Sequence, residues 1–193
     1  MTAPRLDLGS EAVWAPRVQS RSRYERQGEP GVVHLGLGAF HRAHQAMVFD
    51  RLLAAGDGRW GVHAVGMTQP ALVDALRAQD GLYAVRVANA QGSHWEVPGA
   101  LWRFNVAATE RDAVVRAIGA PTTRWVTITV TEKGYTPALA QLLLDGLRLR
   151  WQQQLPGLTM ASCDNLQANG RKLQALVMAE VQDAALRDWI DAH

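Results

Sequence analysis

The fold of this 193-residue chain is predicted from one stretch, Gly31-Val-Val-His-Leu-Gly-Leu-Gly-Ala-Phe-His-Arg-Ala-His-Gln45. Its β-branched, apolar beginning predicts a strand over residues 32–37, and the pattern of residues 39–55 predicts the helix that follows. Between the two, Gly36 allows a tight turn, and Gly38 lets a phosphate approach the backbone closely. A glycine pair placed after a strand and before a helix is typical of a dinucleotide-binding turn.

The first turn of that helix predicts a binding site for a pyrophosphate. Its N–H groups lack intrahelical partners, and the positive end of the helix dipole lies there. His41 replaces the third glycine of the Gly-x-Gly-x-x-Gly pattern, so the dinucleotide-binding fingerprint is not complete. Arg42 has two interpretations, a phosphate contact or hydrogen bonds to neighbouring carbonyls, and the sequence does not separate them. The predicted cofactor contacts in this turn are Gly36, Leu37, Gly38, Ala39, Phe40 and Arg42.

Composition and charge exclude several classes of protein. Hydrophobic residues make up 48% and charged residues 20% of the chain, which is typical of a globular domain rather than a disordered one. The formal net charge is +2 and the arginines are scattered, so nucleic acid is not an expected partner. No stretch approaches the roughly 18 apolar residues of a membrane span, and the first residues lack the apolar run of a signal peptide. Cys163 is the only cysteine, which rules out an internal disulfide, and we expect a soluble cytoplasmic protein without a membrane partner.

The rest of the chain alternates strands with helices. Residues 1–30 are polar and predict an extended N-terminal arm, whereas residues 31–193 predict one dinucleotide-binding domain. Period-two alternation on both sides of residues 89–92 predicts an antiparallel hairpin. The expected fold class is therefore α/β, a Rossmann-like, doubly wound and mostly parallel sheet with an inserted antiparallel hairpin. Further predicted strands are 60–65, 125–130 and 158–162, and further predicted helices are 70–79, 109–118 (with Thr109 as N-cap), 137–151, 165–182 and 183–192.

Three histidines near the turn, His34, His41 and His44, raise the question of a metal site. His41 and His44 are three residues apart on one predicted helix, but no carboxylate or thiol lies nearby at ligand spacing. Histidines in such positions more often pack or form hydrogen bonds, so no metal is predicted.

The end of the second predicted strand bears on which ribose the cofactor carries. A site that selects NAD places a carboxylate there for the ribose hydroxyls, whereas an arginine accommodates the 2′-phosphate of NADP. Residues 66–70 contain neither group. NAD is the expected cofactor, and NADP is not excluded.

Four blocks of sequence follow one another along the chain: Gly36-Leu-Gly-Ala-Phe-His-Arg-Ala-His-Gln45, Gln79-Asp-Gly-Leu-Tyr83, Thr129-Val-Thr-Glu-Lys-Gly-Tyr135 and Ser162-Cys-Asp-Asn-Leu166. Together they resemble the N-terminal half of the long-chain mannitol dehydrogenase and fructuronate reductase family. The resemblance covers roughly residues 25–192. It implies a nicotinamide dinucleotide as cofactor and a small polyol or sugar acid as substrate.

Thr131, Glu132 and Lys133 follow a predicted strand at its carboxyl end, where open α/β sheets bind ligands. On the residues alone, this segment fits an ordinary strand-to-helix loop with a surface Glu and Lys. In the family that it resembles, the block borders the nicotinamide and its glutamate is linked to proton movement. The resemblance therefore implies cofactor contacts for Thr131 and Lys133 and a proton-relay role for Glu132.

Asp164 and Asn165 follow the last predicted strand. An Asn amide at this edge can donate to a carbonyl or developing alkoxide oxygen as a hydride moves, and Asp and Asn are also favoured helix caps. Both roles can hold, with Asn165 as a catalytic donor and Asp164 as the cap. Asn169 is a second candidate donor for which a turn role is favoured, and Cys163 is interpreted as packing rather than as a nucleophile.

The catalytic base of the resembling family is a lysine in a Lys-x-x-x-x-Asn-x-x-His pattern on a C-terminal substrate domain. Neither Lys133 nor Lys172 opens that pattern here, so we expect the substrate domain to be absent. The resemblance implies NAD(P)-dependent hydride transfer between nicotinamide and a secondary alcohol of a polyol or hexuronate. This chain would then be the cofactor-binding half, and it would be inactive alone.

Two alternatives stay open at this point. One is a non-catalytic nucleotide-binding module or truncated product, and the other is an enzyme completed by a partner chain. In either case we expect an uncovered apolar face on the final helices, which would support self-association or partner binding. The residues predicted for that face are Leu176, Val177, Val181 and Ile190.

Overall fold

A computed structural model describes residues 6–21 and 23–193 of the chain. The strands in this part of the chain are β1 (Ser20–Arg21), β2 (Val32–Leu35), β3 (Val62–Gly66), β4 (Val85–Asn89), β5 (Gly92–Val97), β6 (Leu101–Val106), β7 (Trp125–Ile128) and β8 (Thr159–Ser162). The α-helices are α1 (Glu11–Trp14), α2 (Ala46–Ala54), α3 (Pro70–Arg77), α4 (Arg111–Gly119), α5 (Pro137–Gln152), α6 (Asn169–Ala179) and α7 (Ala184–Ala192). None of the helices in the described residues is long and apolar enough to cross a membrane.

A five-stranded sheet with the order β6-β3-β2-β7-β8 carries the domain, and all of its neighbouring strands are parallel. β2 lies at its centre, where Val32 pairs with both Val62 of β3 and Trp125 of β7. The strand order reverses beside β2, and such a reversal leaves a crevice at the carboxyl ends of the strands. The predicted Rossmann-like, doubly wound architecture is confirmed.

Helices cover both faces of this sheet, which explains why its central strands are continuous in apolar residues. One core cluster lies under α4 to α7 and includes Ile118, Leu143 and Leu186. A second cluster lies under α2 and α3 and includes Phe49 and Leu76. All four residues of β2 are buried between the two clusters.

The edge strand β6 is the one strand of the large sheet that the sequence pattern does not indicate. It pairs in parallel with β3, with a register shift between Val62 and His63. Trp102 and Phe104 alternate with Arg103 and Asn105, and this alternation continues that of the hairpin before it. The pattern alone therefore assigns residues 101–106 to the hairpin region, although they complete the parallel sheet.

The predicted antiparallel hairpin is confirmed, and it lies in a sheet of its own. β4 pairs with β5 from Val85 opposite Glu96 to Asn89 opposite Gly92. β1 adds to β5 in parallel and completes a three-stranded sheet with the order β1-β5-β4.

The N-terminal arm is more ordered than its polar sequence predicts. Residues 6–21 form short helical turns and β1 rather than an extended arm. The buried Trp14 packs with Leu82 and Val97 of the small sheet region, and its Nε1 donates to the Asp7 carbonyl at 2.8 Å. Trp14, the pairing of β1 with β5 and a hydrogen bond from the Leu8 N–H to Asp80 hold the arm on the domain. Residues 1–5 and residue 22 of the predicted arm lie outside the described residues.

The predicted N-cap of α4 is wrong. The helix begins at Arg111 rather than at Thr109. Glu110 instead turns its carboxylate back, where it accepts from the Val106 N–H at 2.6 Å and pairs with Arg77. Thr109 cannot cap the helix because it lies in the turn before it, where the N–H groups of Thr109 and Glu110 both donate to the Val106 carbonyl.

Candidate functional site

The turn after β2 is held in a conformation that requires glycine. Gly36 has a φ of +99°, and a Cβ there would lie 2.8 Å from the Thr129 carbonyl oxygen. The N–H groups of Gly36 and Leu37 both donate to the Val65 carbonyl of β3, at 3.0 and 3.1 Å. The turn is thus fixed to both neighbouring strands, as the tight-turn prediction for Gly36 requires.

The residues that follow present unpaired donors. Among the described residues, the backbone N–H groups of Gly38, Ala39 and Phe40 have no hydrogen-bond partner. A Cβ on Gly38 would meet no protein atom nearer than the Gly36 carbonyl oxygen at 3.6 Å. Ala39 and Phe40 are exposed. Open N–H groups at the start of a long helix form a suitable site for an anion.

A π-helical turn over His41–Gln45 interrupts the predicted continuous helix. Such turns are rare and often occur at functional sites. Here the turn brings the buried His41 ring onto His34, with ring centroids 3.4 Å apart and 12° between the planes. His41 Nδ1 donates to Gln45 Oε1 at 2.8 Å, while its Nε2 is buried without a partner in the described residues.

Both stacked histidines are held neutral. Burial lowers the pKa of His34 well below its usual range, and the neighbouring His41 lowers it further. Burial also lowers the pKa of His41 to about 4, although the hydrogen bond to Gln45 opposes this. His44 lies apart from them, exposed and against the Phe40 ring. Across the described residues, no group of three or more His, Cys, Asp or Glu side chains is arranged to hold a metal ion.

Arg42 and the second sequence block meet beside this turn. The buried Tyr83 hydroxyl donates to the Arg42 carbonyl at 2.8 Å, and burial raises the pKa of Tyr83. The Nη1 atom of Arg42 is buried and makes no hydrogen bond to the described residues. It therefore makes none of the carbonyl contacts that one of the two interpretations requires, and the phosphate contact stays a prediction.

A cavity of about 520 Å³ opens at the carboxyl edge of the sheet. It lies where the segments after β2, β3, β6 and β7 converge, the position at which doubly wound folds bind ligands. It is largely apolar, and it brings together Gly36 and Thr131, two predicted site residues. Its lining is Gly36, Met67, Thr68, Ala107, Ala108, Arg111, Thr129, Val130, Thr131, Gly134, Thr136, Ala138, Leu139 and Leu142.

Arg111 is a cavity residue that the sequence did not single out. Met67 and Thr68 line the cavity after β3, where no carboxylate is present. Arg111 enters it from the start of α4 and is paired with Asp145 at 2.5 Å. Arg111 shares the cavity with the segment after β3 because β6 and β3 are neighbouring strands, which the sequence around β3 does not indicate.

The Thr131–Tyr135 segment forms the rim of the cavity. Glu132–Gly134 is one turn of 3₁₀-helix that Thr131 precedes. Thr131, Glu132 and Lys133 are exposed, and Glu132 and Lys133 do not line the cavity. The structure thus brings Thr131 to the Gly36 side but leaves Glu132 and Lys133 directed to the surface.

The segment after β8 is joined to this rim by polar side chains. The Tyr135 hydroxyl hydrogen-bonds the Ser162 hydroxyl, which donates to Asp164 Oδ2 at 3.3 Å. Partial burial would raise the pKa of Asp164, but hydrogen bonds, chiefly with Tyr135, outweigh it and lower that pKa. Burial and the same carboxylate raise the pKa of Tyr135. Tyr135 lies in one sequence block and Ser162 and Asp164 in another, and only the fold brings them together.

The structure corrects the predicted cap of α6. The helix begins at Asn169 rather than at residue 165, and Asp164 accepts from the Leu166 N–H at 2.9 Å instead of capping the helix. Asn169 Nδ2 donates to the carbonyls of Ser162 and Asp164 at 3.0 and 3.2 Å, which confirms its turn role. Asn165 is exposed and does not line the cavity, so its predicted role as a catalytic donor stays a prediction.

The predicted apolar face on the final helices is largely covered. Val177 and Val181 are buried in the core under α4 to α7, and Ile190 is partly buried against it. Leu176 is only partly exposed. The helices α6 and α7 fold back onto α5, so most of the apolar surface that the sequence suggested for a partner is used within the domain.

The sequence model of the family described as "Mannitol dehydrogenase Rossmann domain" matches residues 30–193. The chain belongs to this family. Mannitol 2-dehydrogenase of Cereibacter sphaeroides is 34% identical over 92% of the chain, and D-mannonate oxidoreductase of Escherichia coli is 31% identical over 86%. The family assignment agrees with the resemblance of the four blocks.

Solved structures of the family share the fold along nearly the whole chain. The ternary complex of Pseudomonas fluorescens mannitol 2-dehydrogenase with NAD and D-mannitol superimposes with a TM-score of 0.88 over 98% of this chain, at 27% identity. Substrate-free D-sorbitol dehydrogenase superimposes with a TM-score of 0.86 at 26% identity. The chain spans 43% of the Cereibacter relative and 45% of the Pseudomonas chain, so it corresponds to less than half of either protein.

Proposed function

We propose that this chain is the cofactor-binding half of an NAD(P)-dependent oxidoreductase, with NAD as the expected cofactor. The full reaction would move a hydride between the nicotinamide and a secondary alcohol of a polyol or hexuronate. One observation supports this most directly: the unpaired N–H groups of Gly38, Ala39 and Phe40 follow Gly36, which lines a cavity of about 520 Å³. Hydrogen-bond donors for a pyrophosphate therefore lie next to an apolar cleft for a ring of the dinucleotide.

In this proposal the turn residues 36–40 hold the pyrophosphate. Arg42 adds a cationic contact, since its Nη1 lacks a partner in the described residues. Thr131 and Lys133 would contact the cofactor on its nicotinamide side, and Glu132, at the exposed rim, would move a proton to solvent. The bound nicotinamide ring would supply hydride chemistry, and Asn165 would donate to the reacting oxygen.

Catalysis needs a base that this chain does not provide in the family's pattern. Neither lysine opens a Lys-x-x-x-x-Asn-x-x-His sequence. We therefore expect the purified chain to bind dinucleotide weakly and to turn over little or no mannitol or fructose. A second candidate is a nucleotide-binding module without catalysis, and the two differ in whether a supplied substrate domain restores turnover.

The test is a calorimetric titration of the purified chain with NADH and, separately, NADPH. Saturable binding is expected. The dinucleotide that binds more tightly shows whether the end of β3, which lacks a carboxylate, accepts a ribose with or without a 2′-phosphate. The variant Gly38→Asp should weaken binding by about tenfold or more, because its carboxylate would face the phosphates. The added Cβ has open space, so the fold should be unaffected.

Gly58→Asp is the matched control, since a Cβ on Gly58 meets nothing within 4 Å and the residue lies before β3 at the opposite edge of the sheet. It should leave the affinity unchanged. A folded wild-type chain that binds neither dinucleotide, or equal affinities for the two variants, would contradict the proposed site.

We also propose the cytoplasm as the compartment of this protein and neither nucleic acid nor membrane as a partner. The single half-buried cysteine, Cys163, supports a reducing compartment. Cell fractionation with an antibody to the chain tests this, and a membrane or secreted pool would contradict it.

A further inference from the structure

The peptide between Gly36 and Leu37 is held at both of its ends. Its N–H, that of Leu37, donates to the Val65 carbonyl of β3 at 3.1 Å. Its carbonyl, that of Gly36, accepts from the hydroxyl of Thr129, just beyond β7, at 2.7 Å, and lies at the longer distance of 3.2 Å from His34 Nε2. A single peptide plane therefore bridges the two strands that flank β2, immediately before the unpaired N–H groups.

Thr129 is the last member of a short hydrogen-bonded relay. Thr127 Oγ1 lies 2.8 Å from His34 Nδ1, and His34 Nε2 lies 3.0 Å from Thr129 Oγ1. Since the Thr129 hydroxyl gives its only proton to the Gly36 carbonyl, it accepts from His34. His34 must then carry a proton on Nε2. Because burial lowers the pKa of His34 well below its usual range, the ring is neutral and its Nδ1 accepts from Thr127.

The surroundings of His34 protect that arrangement. The ring is fully buried and is covered by the stacked ring of His41. The positive charge of Arg42, next to His41 in the chain, further lowers the pKa of His41 and so disfavours its protonation. The His34 and Thr127 end of the relay is therefore shielded from solvent, which favours a single tautomer of the His34 ring.

We propose that Thr129 is a positioning residue for the dinucleotide, which acts by locking the Gly36–Leu37 peptide so that the following N–H groups face the pyrophosphate. The inference rests on the proposed function. Glycine at position 36 makes such a lock necessary, because its backbone is free to rotate unless both ends of the peptide are held. The shorter of the two contacts to the Gly36 carbonyl comes from the Thr129 hydroxyl, just beyond β7.

The test compares two buried or half-buried threonines that make the same kind of bond. Thr129 donates to the Gly36 carbonyl at 2.7 Å, and Thr123 donates to the Ala117 carbonyl at 2.7 Å, far from the turn. Thr129→Val and Thr123→Val each remove one hydroxyl at nearly constant volume. Both variants should lower the melting temperature similarly, whereas only Thr129→Val should lower the affinity for NADH, by about three- to tenfold.

Thr129→Ser keeps the hydroxyl and should restore NADH affinity to within about twofold of wild type. A merely structural role would not produce this rescue together with an unchanged affinity in Thr123→Val. If Thr129→Val does not fold, Thr129→Ala and Thr129→Ser form the same pair. Wild-type affinity in a folded Thr129→Val or Thr129→Ala variant would overturn the inference while leaving the proposed function intact.

The relay has a readout that does not depend on cofactor. The ¹⁵N resonances of the His34 ring should show a neutral ring protonated on Nε2 near pH 7 in the wild-type chain. A ring protonated on Nδ1, or on both nitrogens, would overturn the relay even if NADH binds. Failure of the wild-type chain to bind NADH, with the expected tautomer present, would instead contradict the proposed function.

Discussion

The turns after β2 and β8 lie at the same edge of one sheet, but they are built differently. β2 is buried along its whole length, and its turn is fixed by backbone and threonine hydrogen bonds to both neighbouring strands. β8 is an edge strand with no fully buried residue. The segment after it is held by the side chains of Tyr135, Ser162, Asp164 and Asn169, all of them half-exposed.

This difference teaches which part of a dinucleotide site a single domain can form in advance. A buried network resists solvent competition, so the pyrophosphate turn keeps one geometry without ligand. Half-exposed polar contacts compete with water and contribute less. We infer that the β2 side is preformed and that the β8 side, where Asn165 lies, adjusts when cofactor or substrate arrives.

The largest expected effect tests the anchor beneath β8. Arg150 is 1% exposed and donates to the carbonyls of Ala120 at 2.7 Å and Pro156 at 2.8 Å, just before β8. Arg150→Met leaves these carbonyls unpaired, so the free energy of unfolding should fall by about 3–5 kcal/mol. Urea unfolding measures the loss, and hydrogen exchange should rise more over β8 than over β2.

Arg148→Met is the control for this change. Arg148 lies on the same helix and is ion-paired with Asp145 at a half-exposed position, so its loss should cost about 0.5 kcal/mol or less. An equal fall in the free energy of unfolding in the two variants would contradict this expectation. So would amide hydrogen exchange that rises equally over β2 and β8, because the β8 side would then be no less firmly held than the β2 side.

Acid should weaken the β2 side in particular. In the unfolded state the pKa of His41 has its ordinary value of 6.5, whereas burial lowers this pKa to about 4 in the folded state. The chain therefore takes up a proton when it unfolds between these pH values. The free energy of unfolding falls by about 3 kcal/mol from His41 by pH 4, and His41 takes nothing from it above pH 6.5. Urea unfolding at pH 7, 5.5 and 4.5 measures the trend.

His41→Phe provides the reference for this trend, since it keeps a buried ring that cannot titrate. Groups outside the stacked pair contribute equally to both pH profiles, so the difference between wild type and variant isolates His41 together with its effect on His34. Parallel profiles between pH 6.5 and 4.5 would show that the stacked pair does not make the β2 side acid-sensitive.

The sequence predicts the central strands and the turn well, because their determinants are local. An apolar run followed by Gly36 and Gly38 requires no knowledge of the rest of the chain, and Pro137–Gln152 has a strong helical period. β6 escapes prediction because its alternation is the same whether it extends the hairpin or pairs with β3. The fixed position of Trp14 likewise depends on Leu82 and Val97, far along the chain.

The candidate site is only partly readable for the same reason. The glycine spacing indicates where phosphate should bind, but the His34–His41 stack needs a π-helical turn that no local pattern announces. The contact between Tyr135 and Ser162 joins two blocks 27 residues apart. Arg111 reaches the cavity because β6 lies next to β3 in the sheet. The sequence pattern does not indicate β6, so it does not predict this position for Arg111.

Glycine substitutions sharpen the comparison at the level of the backbone. Gly36→Ala places a Cβ 2.8 Å from the Thr129 carbonyl oxygen at a φ of +99°, so it should cost about 2 kcal/mol and abolish measurable NADH binding. Gly170→Ala, in α6 after β8, meets nothing within 4 Å and should be neutral or stabilising by up to about 1 kcal/mol. Thermal melts and NADH titration give both numbers, and a well-folded Gly36→Ala variant that binds NADH would mean that the turn is adaptable after all.

The smallest effect compares one tyrosine hydroxyl on each side. Tyr83 is buried and donates to the Arg42 carbonyl beside the β2 turn, whereas Tyr135 contacts Ser162 in the half-exposed β8 segment. Tyr83→Phe removes the hydrogen bond of a buried hydroxyl and should cost about 1–1.5 kcal/mol; Tyr135→Phe should cost about 0.5 kcal/mol, because water replaces the lost contact. Removing the Tyr135 hydroxyl should also raise the pKa of Asp164, which ¹³C titration of its carboxyl can follow. If Tyr135→Phe proved as costly as Tyr83→Phe, the β8 segment would be as firmly preformed as the β2 turn, and the adjustment expected there on ligand binding would have no basis.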